Sequence, residues 1–273
     1  MSDLNVSTYE PLLGPRLKLE RASHHLSQIA HLEQHFFTSN SPRLVFDTES
    51  KPGHKLVKIV LEAKPPELVH VLTGELIYQL RSTLDQIAVE FARLSKGPTR
   101  PKDVYFPTGD SFKGFVSSCK SYNSKKKRLT GNLRHFDADL RKAILKTRPY
   151  SGGNETLRAV FQMANIDKHM ELIAIGAAGG LAAMSDFNIV GGYTGLMLTG
   201  PGDLSRGVVI SDLKPHGSIT PKHANAQIQF SGKITLGDNV PYAHQPLVQF
   251  LNSMLQETKR VYASLRALLD RRT

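Results

Sequence analysis

From Glu67 to Ser95 the chain places Leu68, Leu72, Leu76, Leu80, Leu84, Ile87 and Phe91 three or four residues apart. That spacing puts one apolar seam along a long α-helix and is incompatible with a strand, whose faces alternate every second residue. Pro65 and Pro66 precede this helix and Gly97-Pro98 ends it. A helix this long with one apolar face requires other amphipathic elements to cover it.

Three further stretches supply them. Pro15 to Phe37 carries Leu19, Ala22, Leu26, Ile29 and Leu32, and Pro246 to Asp270 carries Leu247, Phe250, Leu251, Met254, Val261, Leu265 and Leu268. Asn154 to Gly176 reads as a second long helix with Asn154 as its N-cap and Leu157, Phe161, Ala164 and Leu172 inward. Leu133 to Lys146 is a shorter helix with a basic outer face. Arg43 to Thr48 and Lys55 to Ala63 resemble a hairpin about ESKPGH, and Asp186 to Leu236 breaks into short β-branched runs between turns. Thr99 to Gly114 reads as an ordered loop, and the SSCKSYNSKKKRLTGN stretch after it as a polar connector. The fold class expected is α+β: a mainly helical bundle over 15–180 and 246–273, an N-terminal β-hairpin, and a C-terminal antiparallel β-layer over 186–240. All of this is read as a single elaborated domain spanning 1–273.

Hydrophobic residues make up 40% of the chain and charged residues 22%. No apolar run approaches the roughly 18 residues of a membrane span. The N-terminal MSDLNVSTYEPLLG has no secretion-signal pattern and Cys119 stands alone, so a cytoplasmic protein without membrane contact or an internal disulfide is expected. A formal charge of +11 favours a polyanionic partner such as RNA. Lys125, Lys126, Lys127 and Arg128 form the densest basic run, with Lys120, Arg134, Arg141, Lys142, Lys146 and Arg148 around it. They are the candidate nucleic-acid contacts; the alternative is a solvated connector.

Two polar stripes carry the candidate chemistry. Gly74, Tyr78, Arg81 and Asp85 share one face of the long helix, and Arg158, Gln162, Asn165 and His169 share one face of the later helix, with Asp167 and Lys168 on neighbouring faces. Gly74 costs a helix roughly 1 kcal/mol relative to Ala, which suggests a close approach by another group. The stripes are expected to meet in one pocket built from Arg81, Asp85, Asn165, Lys168 and His169, to which the resemblance given below adds Gln86. There, Arg81 and Lys168 stabilise phosphate charge, His169 moves a proton, and Asp85 with Asn165 orient them. The plainer readings are a surface ion pair between Arg81 and Asp85 and a core histidine at His169. The histidines of the first helix lack companion ligands at a metal spacing, and GxGxxG, GxSxG and GxxxxGK[ST] are absent. No metal and no cofactor are expected.

The segments LKLERASHHL, GELIYQLRSTLDQIA, FPTG and RPYSGGNETLRAVFQMANIDKH together resemble a bacterial protein family whose long helix reads LRxxLDHLA and whose second ends in DKH, set in a bundle similar to HEPN domains. The resemblance covers most of the chain through short motifs. It implies a metal-independent ribonuclease, a homodimer, and a role as an RNA-binding toxin or in phage defence. HEPN ribonucleases carry an Arg followed a few residues later by a His. Arg81 takes the Arg position, and Gln86, which cannot accept a proton near neutral pH, takes that of the His. Either His169 supplies the missing group, or this chain is a non-catalytic binding or scaffold protein whose stripes form a structural polar network.

Overall fold

A computed structural model describes residues 10–47, 53–96, 104–120, 122–123, 128–129, 131–169, 173, 175–185, 187–192, 202–222, 227–238 and 240–271. The chain is mixed α+β and divides into two compact units. Unit one comprises residues 1–27, 72–172 and 250–273; unit two comprises 28–71 and 173–249.

Three helices stand close to their expected bounds, α1 at Leu13–Ser39, α2 at Glu67–Lys96 and α6 at Leu247–Asp270, whereas α5, Glu155–His169, ends short of the expected Gly176. The seam of α2 is buried from Leu72 through Leu76, Leu80, Leu84, Ile87 and Phe91. Leu68 breaks the series at 52% exposure, and Val69 is buried in its place. Asn154 caps α5 as its residue type suggests, its Oδ1 accepting the Leu157 N–H at 2.9 Å. No helix among the described residues is long and apolar enough to cross a membrane.

In unit one the expected loop and connector contain a further helix, α3 (Phe112–Lys120), followed by a two-residue antiparallel pair, β3 (Tyr122–Asn123) with β4 (Arg128–Leu129). The helix expected over Leu133 to Lys146 is broken. A 3-10 turn at Asn132–His135 ends before Asp137, whose side chain accepts the Leu140 N–H and starts α4 (Ala138–Thr147). An aspartate in extended conformation is a strong N-cap, so the chain restarts a helix there instead of continuing one.

Unit two holds the sheets. The hairpin of β1 (Arg43–Asp47) and β2 (Lys55–Val60) is not a separate feature: β2 pairs with β8 (Val208–Pro221), which pairs with β6 (Phe187–Gly192), giving the order β1-β2-β8-β6. A second sheet has the order β7-β5-β9, with β5 Ile175–Ser185, β7 Gly202–Asp203 and β9 Gln227–Leu236. Phe36, Val57, Ile59, Leu204 and Leu213 belong to one buried cluster in this unit.

Strand β5 corrects the sequence reading twice. Residues 175 and 176, expected in the second long helix, are extended, and the β-rich region begins before Asp186. The glycines explain why. A Cβ at Gly179 would lie 2.5 Å from the Ser231 carbonyl oxygen, so this position tolerates only glycine beside its partner strand, and glycine-rich chain is poor helix.

Candidate functional site

In unit one, α2, the 104–109 segment and α5 enclose a pocket of about 340 Å³. Arg81, Asp85, Gln86 and Asn165, four of the six residues expected from the sequence, line it, together with Tyr78, Tyr105 and Asp167. Lys168 and His169 occupy the final turn of α5, but their side chains lie outside the described residues. Lys125, Lys126 and Lys127 lie outside them altogether, and Arg128 is described only as backbone of β4.

Arg81 is held on two sides. Its Nε donates to Asp85 Oδ2 at 2.9 Å, one helical turn away, and its guanidinium lies 4.3 Å from the centre of the Phe161 ring. The Phe161 ring in turn stacks near Phe106, with centroids 6.1 Å apart and planes 25° from parallel. Side-chain exposures of 23% for Arg81 and 26% for Asp85 exclude the fully solvated surface pair. The Nη donors of Arg81 remain oriented by a planar clamp on an aromatic face.

Asp85 does a second job. Its Oδ1 accepts the Phe106 backbone N–H at 2.9 Å and ties the FPTG segment to α2. The other end of that segment is anchored where Thr108 Oγ1 and Gly109 N–H both donate to the Pro149 carbonyl at 3.2 Å. Gly109 is needed there because a Cβ would fall 2.3 Å from the Phe115 amide nitrogen. The FPTG motif is thus a strut that sets the pocket wall bearing Tyr105.

Gln86 presents a buried Oε1 without a hydrogen-bond partner among the described residues. It lies beside α1, where a Cβ on Gly14 would come within 2.9 Å of it. Arg158, on the outer part of the second stripe, does not line the pocket and instead bonds Glu155 at 3.1 Å.

The residue that sequence reasoning set aside is Asp167. Its carboxylate packs against α2 at Gly74, where a Cβ would meet Oδ1 at 2.4 Å. Gly74 was the available signal, because an unexplained glycine on a helix announces a neighbour, but periodicity does not say which one. Burial raises the pKa of Asp167 above its ordinary value. The pocket therefore combines a fixed cation, a carboxylate with enhanced proton affinity, an exposed amide at Asn165 and two tyrosines. Such a set has the chemistry to bind an anionic or polar ligand and to transfer a proton to or from it. No family model, curated protein or solved structure matches this chain.

Proposed function

We propose that the helical unit is HEPN-like and that its pocket binds single-stranded RNA and cuts it without a metal ion. The observation that carries this reading is the placement of Asp167, a carboxylate of raised pKa, in the same pocket as the clamped Arg81. In the reaction the ribose 2′-oxygen attacks phosphorus and the bond to the 5′-oxygen breaks. The products are a 2′,3′-cyclic phosphate and a 5′-hydroxyl. Arg81 stabilises charge on the non-bridging oxygens. Asp167 takes the proton from the 2′-hydroxyl, His169 delivers one to the leaving oxygen, and Asn165 with Lys168 orients the strand. Gln86 stays a hydrogen-bonding group and not a base. The protein then works as a homodimeric toxin or in phage defence.

A second reading is favoured by one observation: both oxygens of Asp85 are already engaged within the fold, by Arg81 and by the Phe106 N–H. In that reading the polar groups fix α2 against the 104–109 segment, and the chain is a binding or scaffold protein. Incubation of the purified full chain with total RNA in excess EDTA separates the two. The ribonuclease reading expects cyclic-phosphate products from wild type and a loss of about 100-fold or more in rate for Arg81→Ala, Asp167→Asn and His169→Ala. Absence of products from wild type, or equal products from all four proteins, supports the structural reading instead.

A further inference from the structure

A second cavity, of about 510 Å³, lies in unit one between α4 and α6, away from the pocket of Arg81. Val261 and Leu265 at its base are already buried, at 3% and 1% exposure, and the apolar strip open on its floor is formed by Ala143, Ala267 and Leu268. Lys142 and Lys146, one turn apart, edge it on α4, and Arg260 and Arg271 edge it on the other side. Arg260 is shared with Glu257, at 2.6 Å, whereas Lys142, Lys146 and Arg271 carry no ion pair among the described residues. Asp139 is the one acidic lining residue. The positive edge continues along α4 through Arg141 and Arg148, which line an adjoining surface depression with Leu145.

We infer that this groove docks an acidic amphipathic helix of a partner protein. An apolar floor flanked by cations matches a helix that puts apolar residues at i, i+3 or i+4, and i+7 into the groove and glutamates or aspartates along its borders. The α6 side from Arg260 to Arg271 is about 16 Å long at 1.5 Å per residue, which accommodates roughly three turns of such a helix. Nucleic acid fits less well: phosphates would satisfy the cations but leave Ala143, Ala267 and Leu268 uncovered, and no aromatic side chain lines the groove for bases to stack on. The charges set the partner's sign and encounter rate, and the strip of Ala143, Ala267 and Leu268 selects an apolar helix face between them.

The test uses the full chain and a fluorescein-labelled synthetic peptide of three helical turns with leucines on one face and glutamates beside them. Three controls accompany it: the same peptide with lysine for glutamate, a scrambled peptide of equal charge with its leucines dispersed, and a single-stranded RNA. Binding followed by anisotropy is expected for the amphipathic acidic peptide, at least about 10-fold weaker for both control peptides, and at least about 10-fold weaker for Lys142→Glu/Lys146→Glu, a difference of about 1.4 kcal/mol. Both lysines are exposed, and a circular-dichroism melt of the double variant matching wild type shows that the fold is kept. The proposal is overturned by absence of acidic-peptide binding, by equal binding of the scrambled peptide, or by binding that survives the double substitution. RNA binding lost in that variant, with no peptide bound by wild type, assigns the groove to nucleic acid and likewise overturns it.

Discussion

The carboxylate of Asp167 occupies the space that a side chain at Gly74 would fill, with Oδ1 2.4 Å from the position of the missing Cβ. The contact makes a prediction whose size depends on background. Gly74→Ala gains about 1 kcal/mol of helix propensity but makes the end of the Asp167 side chain swing aside, so the single variant gains less than the full propensity in chemical denaturation. In an Asp167→Ala background the obstruction is gone, and the same substitution stabilises by the full amount. Equal effects in both backgrounds would show that the two residues are not coupled.

Asp167 also makes stability depend on pH. Its pKa is raised by burial from an ordinary 3.8, so the folded chain holds this proton more tightly than the unfolded one. Its stabilising contribution is complete below about pH 3.8 and is lost as pH rises through the raised value. Asp167→Asn abolishes that loss. The variant therefore gains on wild type between about pH 4 and neutrality, measured as the difference in unfolding free energy. A difference constant with pH contradicts the assignment.

Asp85 supports both Arg81 and the Phe106 amide. Asp85→Ala leaves two partly buried donors unsatisfied, and a loss of about 2 to 4 kcal/mol is expected. Asp85→Asn keeps an acceptor for the Phe106 N–H and loses less. If the two variants unfold at the same denaturant concentration, the tie to Phe106 contributes nothing.

In unit two, Glu33 is buried at 7% exposure, accepts the Ile234 N–H at 2.8 Å and lies 3.5 Å from Lys233 Nζ. Strand β9 stands at the end of its sheet, so this side chain occupies a backbone donor that a neighbouring strand would otherwise take. Glu33→Ala is expected to cost about 1 to 3 kcal/mol and to raise aggregation, whereas Glu33→Gln retains an acceptor and costs less. Unchanged stability and light scattering in Glu33→Ala would contradict this role.

The long helices α1, α2 and α6 and the start of α5 were legible because leucine spacing reports a buried face directly and Asn154 announced its own cap, whereas the short α3 was missed. The start of β5 was not, since Ile175-Gly176 continues an apolar run and only its neighbour Ser231, far along the chain, makes glycine at 179 obligatory. Pairing of the hairpin with β8 was hidden for the same reason: β2 alternates in either setting, and register with a strand near Val208 is a tertiary fact. At the pocket, Arg81, Asp85 and Asn165 followed from helical offsets on single elements, and Gln86 from the family resemblance. Asp167 did not, because its place depends on how closely α5 approaches α2, a distance that periodicity leaves open.

The central claim, that RNA is handled in the pocket of Arg81 and Asp167, is tested most directly by photo-crosslinking. A labelled single-stranded RNA is irradiated with the full chain, and the modified peptides are identified by mass spectrometry. Tyr78 and Tyr105, 57% and 49% exposed at the pocket, are expected to carry the adducts, and Arg81→Ala is expected to deplete them. Adducts confined to other surfaces, or unchanged in Arg81→Ala, would contradict the account.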